Sequence, residues 1–531
     1  MAKNILNSIS ARVPDILGVL VIVTVWLTIT NDVQSVRDIG LNDEAGYLRF
    51  GSDFGQRKLP QAVDSPLYVM WYFVLSWCQS DPVQLYYLNW RLLTLLPAIF
   101  LYLFLRTVKV HSLVGCIASC VLVVSRGNLE TAPQVSHLAL CTVFGGLAVA
   151  QRASIPMLFW GFLALTALIT SYIRPEFFVV FVILGVTTFF LATRQKGQHL
   201  QFATLALYVA LACALLSTLG FPFNTNNVRG AIAFQQHFSV NWVKWAGSTL
   251  DPWANSKQIV EANFGETCSI IDCLRINPPL VFKHVWSNAC SVFPTATALL
   301  LYSGRHYTGL VSPRLYSCFL AALIVFALSR VRLASLERTW RNNLPTGLAI
   351  LIFLLPPCLT TVLIYPRDHY LILSQILFLA FVLLLIRDSS IRSVQGPLPF
   401  LCVASLFISI HARPERVSMN RLPIRNTIDF LSSSKFRKKM QLLNQGGICH
   451  YLPNNWTCVE LSRKSESYMA FAKKYGINAV LVSKQLEQDP QLRSDPGWVD
   501  LVAAPGRLGF TKIAVPNTTR YLLVSDDLFE R

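Results

Sequence analysis

Two adjacent carboxylates, Asp43 and Glu44, follow the first apolar run of the chain in Asp38-Ile-Gly-Leu-Asn-Asp43-Glu44-Ala-Gly-Tyr47-Leu-Arg49-Phe. A carboxylate beside a membrane surface, partly desolvated, suits a general base that takes a proton from a hydroxyl or amine. The same pair also fits a solvated, acid-rich loop. Farther on, Asp64-Ser65-Pro66-Leu67-Tyr68 opens an aromatic stretch to Trp77, and Leu88-Asn89-Trp90-Arg91-Leu92-Leu93 puts an arginine near the start of the second apolar run. An arginine at membrane depth is costly and usually has an anionic partner. Phosphate is a natural one, because guanidinium offers a planar fork of donors. Glu130, in Arg126-Gly-Asn-Leu-Glu130-Thr, offers a second acid for a substrate or metal, or else an ion pair with Arg126. Arg174-Pro175-Glu176 reads as an ion pair holding a turn or as a substrate contact, and His137 as a core histidine. No cluster has metal-ligand spacing. A divalent cation held between carboxylates and a phosphate is compatible with these residues but not required by them.

The elements that must position these groups are membrane helices. The chain has 531 residues, of which 53% are hydrophobic and only 14% charged, with mean hydropathy +0.46. Soluble proteins carry about 25% charged residues, so soluble enzyme classes are excluded. Apolar runs of roughly bilayer-crossing length predict eleven spans, near 13–30, 84–105, 112–125, 135–150, 157–173, 176–193, 200–219, 314–330, 346–364, 369–386 and 397–411. Basic residues fix the orientation. With the N-terminus cytoplasmic, the inner segments hold Lys3, Arg12, Arg106, Lys109, Arg152, Arg194, Lys196, Arg330, Arg332, Arg338, Arg341, Arg387 and Arg392 against two acids, Glu337 and Asp388. The first outer loop has four basic residues and six acids over 31–66. Ala289–Tyr302 is apolar but short, and counting it as a span would put Arg330–Arg341 outside. It therefore reads as an interfacial or re-entrant helix. The net charge of +18 is topology-setting charge and attraction to anionic lipid, not a nucleic-acid surface.

Three outer regions are large enough to fold: loop 31–83, loop 220–313 and the tail 412–531. The tail is charged and mixes strand-like runs, Ala479–Val482 and Tyr521–Val524, with helix-like ones such as Ser467–Tyr475 closed by Gly476. It reads as a small extracytoplasmic α/β domain behind a transmembrane module of residues 1–411. Thirteen cysteines lie mostly in apolar runs, where they act as small hydrophobes. Cys449, Cys458, Cys268 and Cys273 fall on the predicted outer side, where disulfides persist; free thiols are the alternative.

The acidic pair, the Pro66-Leu67-Tyr68 segment, Arg91-Leu92, and Pro366-Arg367-Asp368-His369-Tyr370-Leu371 at the start of a late span together resemble the GT-C class of membrane glycosyltransferases. The likeness is strongest to protein O-mannosyltransferases and the bacterial lipid A aminoarabinose transferase. It covers 31–411 by motif order, and the tail only by placement and size. The resemblance implies an α-helical polytopic fold of about eleven spans. It also implies transfer of a hexose or pentose from a polyprenyl-phosphate donor to a lipid, glycan or protein acceptor on the outer face, with inversion. By matching the motif, Asp43 would be the general base and Glu44 its support or a substrate ligand. Arg91 and Arg367 would meet the donor phosphate, with His369 and Tyr370 as hydrogen-bond partners and Glu130 and Arg174 as further contacts. One departure stands out: those families often carry a basic residue before the Pro-Leu segment, where this chain has Asp64-Ser65. Lys58 or Arg57 would have to substitute. Short inner loops fit a bacterial inner membrane. The rival readings are a lipid or glycan transporter, for which no repeat symmetry is visible, and a non-catalytic relative of the transferase scaffold.

Overall fold

The computed structural model describes residues 2–41, 43–54, 65–130, 132–194, 199–222, 228–266, 269–301, 307–308, 333–390, 413–414, 422–433, 438–444, 446–461 and 464–528. The chain forms two compact units. One comprises Met1–Asn31, Arg57–Met70 and Trp90–Pro414; the other comprises Asp32–Gln56, Trp71–Asn89 and Glu415–Arg531.

The first unit is helical. Among the described residues, five helical segments are long and apolar enough to cross a bilayer: Val13–Val36, Pro82–Thr107, Pro175–Arg194, Leu344–Leu363 and Asp368–Arg387. Shorter apolar helices are Pro66–Ser76, Ser112–Val124, Val135–Ala150, Pro156–Ser171 and Leu205–Leu219. The protein is thus a helical membrane protein with a small C-terminal sheet. The expected runs 314–330 and 397–411 lie outside the described residues, as do Arg57, Lys58, Asp64, Lys196, Arg330, Arg332 and Arg392; each of the other nine runs falls on a helix. Small residues let these helices approach: a Cβ on Gly146 would collide with the Thr166 side chain of the neighbouring helix, the packing that apolar solvent favours. A charge in the first helix is also answered. Asp15 accepts from Arg106 Nε at 2.5 Å and from the Tyr102 hydroxyl at 3.2 Å, so the pair is neutralised where an isolated ion would be expensive.

One expectation changes in extent. Of the run Ala289–Tyr302, the described residues 289–301 are the second half of a longer helix, Pro278–Leu301, and Tyr302 lies outside the described residues. Its first half escapes a hydropathy reading because it carries Lys283, His284, Ser287 and Asn288 among its apolar residues.

The second unit is built around a mixed five-stranded sheet. Its strands are β1 (Met440–Asn444), β2 (Trp456–Glu460), β3 (Ala479–Val482), β4 (Phe510–Ala514) and β5 (Tyr521–Ser525), in spatial order β2-β1-β3-β5-β4. β1 runs parallel to β2 and β3, whereas β5 is antiparallel to β3 and β4. The central strand, Ala-Val-Leu-Val, is buried at every position, as a strand covered on both faces must be. Helix Tyr468–Tyr475 ends on Gly476 at φ +62°, a left-handed cap that glycine adopts without steric cost. Asp495 caps helix Pro496–Ala503 through the N–H groups of Gly497 and Trp498. Its carboxylate also accepts from Tyr468 N and pairs with Lys464 at 3.0 Å. Tyr468, Phe471, Val480, Trp498, Leu501 and Leu523 form the core. Cys449 and Cys458 form a disulfide with Cα atoms 6.1 Å apart. Cys268 lies outside the described residues, and Cys273 is buried.

Candidate functional site

The acidic pair opens a helix, Asp43–Ser52. Negative charge in a first turn is favourable, because the unpaired N–H groups and the helix dipole present positive potential there. The helical rotation between neighbours splits the pair. Asp43 is exposed, while Glu44 is only 6% exposed. Glu44 Oε1 accepts from the Tyr72 hydroxyl and, at 3.1 Å, from Asn89 Nδ2. Asn89 is held in turn, its Oδ1 accepting from the Trp71 indole at 2.7 Å. Two helices, Pro66–Ser76 and Pro82–Thr107, thus supply the donors that fix Glu44.

The segment leading into this helix is fastened to the tail within the same unit. Asp38 accepts from the backbone N–H groups of Ile424 and Arg425, at 2.9 and 2.8 Å, and so caps helix Pro423–Leu431. Gly40 donates its N–H to the Tyr86 hydroxyl at 3.0 Å, and its carbonyl accepts from the Tyr451 hydroxyl at 3.3 Å. Burial, with the Glu44 carboxylate and the Tyr86 hydroxyl nearby, pushes the Tyr451 phenol well up, so it remains a donor. Gly447 closes the contact. A Cβ there would lie 2.6 Å from Ala45 Cβ and 2.7 Å from the Leu41 carbonyl oxygen.

The cationic candidates belong to the first unit. Arg174 is 11% exposed and donates to Glu176 Oε1 through Nε at 2.8 Å and Nη2 at 2.5 Å. Its Nη1 reaches Ser136 Oγ at 3.3 Å, and its guanidinium lies 4.5 Å from the Tyr370 ring centroid. Tyr370 in turn meets the His369 ring edge to face at 4.3 Å. His369 lies near the charges of Arg174 and Arg367 and near the His237 and His137 rings. Arg126 pairs with Asp368 at 3.5 Å; Glu130, the other acid considered for it, has its backbone carbonyl bound by the Trp90 indole at 2.9 Å. Arg174, Arg367, His369 and Tyr370 are therefore gathered into one neighbourhood. Arg91 is engaged elsewhere: its Nη2 donates to the Asn31 carbonyl at 2.9 Å, just past the first helix, where a cation satisfies an orphan acceptor.

Several residues of loop 220–313 join this neighbourhood and had not stood out in the sequence. His237 stacks on Tyr365 at 5.0 Å and meets Trp253 edge-on at 5.4 Å, while Arg367 lies 5.4 Å from the Trp253 ring centroid. Burial, then the charge of Arg367 and the nearby His284, bring the His237 imidazole down to about 3, so it is neutral. Lys244 Nζ lies 3.4 Å from the Tyr365 hydroxyl. The available signal was the spacing of His237, Asn241 and Lys244 along one face of helix Val228–Ala246. Cations outnumber acids here, so the arrangement suits an anion. Among the described residues, no group of three His, Cys, Asp or Glu side chains is placed to hold a metal ion. No protein-family model matches the chain, and no curated protein matches its sequence.

Proposed function

We propose that the protein is a membrane glycosyltransferase that moves a sugar from a polyprenyl-phosphate donor to an acceptor on the extracytoplasmic face, with inversion. The observation that carries this reading is the division within the acidic pair. Glu44 is buried and held by Tyr72 and Asn89, which leaves the neighbouring Asp43 exposed on a fixed helix terminus. A base needs that combination of access and fixed position.

In this reading the acceptor oxygen attacks the anomeric carbon and its proton passes to Asp43. The carbon–oxygen bond to the carrier breaks, and its electron pair stays on the departing phosphate. Arg367, Arg174, His369 and Tyr370 supply the cationic and hydrogen-bonding surface that would stabilise that developing charge. Arg91, whose Nη2 donates to the Asn31 carbonyl at the end of the first helix, remains a further candidate for the donor phosphate. Eleven spans, a cytoplasmic N-terminus and a bacterial inner membrane complete the proposal.

The test is transfer of label from a polyprenyl-phosphate sugar pool to membrane or protein acceptors, comparing wild type with Asp43→Asn at matched expression. A loss of about 100-fold or more is expected from removing a general base. Equal transfer would strip Asp43 of its role. No transfer by either chain, across several carrier sugars, would favour a transporter or a non-catalytic scaffold.

A further inference from the structure

Helix Pro278–Leu301 is built inside out. Its buried face carries polar groups: His284 is 0% and Asn288 1% exposed. Both are fully used. Asn241 Nδ2 lies 3.1 Å from His284 Nδ1 and 2.8 Å from Asn288 Oδ1. His284 Nε2 lies 3.0 Å from the Ile364 carbonyl, and Asn288 Nδ2 donates to the Val362 carbonyl at 2.9 Å. A neutral imidazole with its proton on Nε2 satisfies every one of these contacts. The opposite face, at 282, 286, 289 and 290, carries Phe, Trp, Ala and Cys, with Phe282 63% and Trp286 72% exposed. The preceding helix, Ile270–Ile276, likewise exposes Ile271, Leu274 and Ile276. A helix bathed in water places its polar residues outward; here His284 and Asn288 lie inward while Phe282 and Trp286 are exposed beside Lys283.

Its contacts also fix its depth. Asn288 is tied to Val362 and Ile364, where span Leu344–Leu363 ends. Farther along, the Ala296 carbonyl accepts from Gln375 Nε2 at 2.5 Å, and the Leu299 carbonyl accepts from Gly127 N at 3.3 Å. A Cβ on Gly127 would be in contact with both Leu299 and Ile372. Gln375 lies about 10 Å, and Ile372 about 6 Å, along the span that begins at Asp368, by the helical rise of roughly 1.5 Å per residue. These anchors stay within about the first third of a hydrocarbon layer near 30 Å thick.

We propose that Pro278–Leu301 lies in the interfacial layer of the bilayer, with the face of Phe282, Trp286, Ala289 and Cys290 on lipid. Helix Ile270–Ile276 extends the same apolar platform. Lys283, whose Nζ sits 4.7 Å from the Trp245 ring centroid, and the exposed Arg275 reach the lipid phosphates, as long basic side chains do at such surfaces. The occupant is bilayer lipid because the helix hangs from the ends of membrane spans. The inference is independent of the transferase reading, and its readout uses no activity.

The full chain is reconstituted into phosphatidylcholine–phosphatidylglycerol vesicles whose acyl chains carry bromine either near the head group or near the chain end. Wild-type tryptophan fluorescence is compared with that of Trp286→Phe, so the difference reports residue 286. Quenching of that difference at least about twofold stronger by shallow than by deep bromine is expected for burial roughly 5–10 Å below the surface. Phe282→Trp placed in the Trp286→Phe chain should restore the same depth profile. Equal or stronger quenching by deep bromine means a crossing helix and overturns the interfacial placement. Quenching by aqueous iodide and by neither lipid, or by no agent at all, means water or protein on this face and overturns the proposal.

Discussion

Helices Tyr468–Tyr475 and Pro278–Leu301 obey opposite rules. The first buries Tyr468 and Phe471 against the tail sheet and turns Lys473 and Lys474 outward. The second buries His284 and Asn288 and turns Phe282 and Trp286 outward. Each is amphipathic, and the inward polar groups of the second are paired. What differs is the solvent: water rewards the removal of apolar surface, whereas lipid gives no such reward and instead penalises an unpaired polar group. An amphipathic pattern thus says that a helix has two faces, and only the surroundings say which face is inside.

The sharpest way to break this comparison is to truncate an aromatic in each helix. Phe471→Ala, in the tail core, should cost about 3–5 kcal/mol, read as faster hydrogen exchange throughout β1, β3 and β5. Trp286→Ala should leave the exchange of its own helix unchanged; a cost matching that of Phe471→Ala would mean that Trp286 is packed against protein. Next in size is Lys464→Met. It strands Asp495, whose side chain is 6% exposed, and one-sided loss of a buried pair costs about 3 kcal/mol. Burial raises the Asp495 carboxyl, but Lys464 and the N–H groups of Tyr468 and Trp498 more than offset this and hold it below its usual range. Its contribution is therefore present above the unfolded carboxyl pKa of about 3.9 and is lost as pH falls through the lower folded value. In the wild-type chain, protection of helix Pro496–Ala503 should drop only below about pH 4; a drop near neutral pH would remove Asp495 as the cause. The smallest effect belongs to the polar core of the other helix. Asn288→Leu keeps the branched shape but removes the acceptor of one Asn241 N–H and the donor to the Val362 carbonyl, for about 1–3 kcal/mol. A lowered thermal midpoint in detergent is expected, and an unchanged one would mean that other donors satisfy those groups.

Much of the scaffold was readable from the sequence because apolar runs of bilayer length and strand runs such as Ala479–Val482 are local signals. Gly476 after Tyr475 marked a helix end for the same reason. The acidic pair was visible as a candidate, but its division into a buried Glu44 and an exposed Asp43 was not: that depends on Tyr72 and Asn89, donated by two other helices. Arg91 shows the converse. Its position near a helix start suggested a phosphate ligand; its Nη2 bond to the Asn31 carbonyl could not be foreseen, because a backbone acceptor has no sequence signature. His237 and Tyr365 were missed because their stacking joins residues far apart in the chain. The first half of Pro278–Leu301 was missed because its inward-facing polar residues lower the very average that reveals membrane helices.

The absent side chain of Gly447 bears on how loss-of-function variants of this protein should be interpreted. Any residue larger than glycine there presses on Ala45 and on the Leu41 carbonyl oxygen, and so displaces the turn that carries Asp43 without touching a substrate. Under the proposed function, Gly447 would score beside Asp43 in a genetic screen and pass for part of the chemistry. A compensating change separates the two. Ala45→Gly can relieve only the side-chain half of the clash, because the Leu41 oxygen belongs to the backbone, so suppression of a Gly447→Ala defect would be partial. No second-site change that merely makes room could return a missing base.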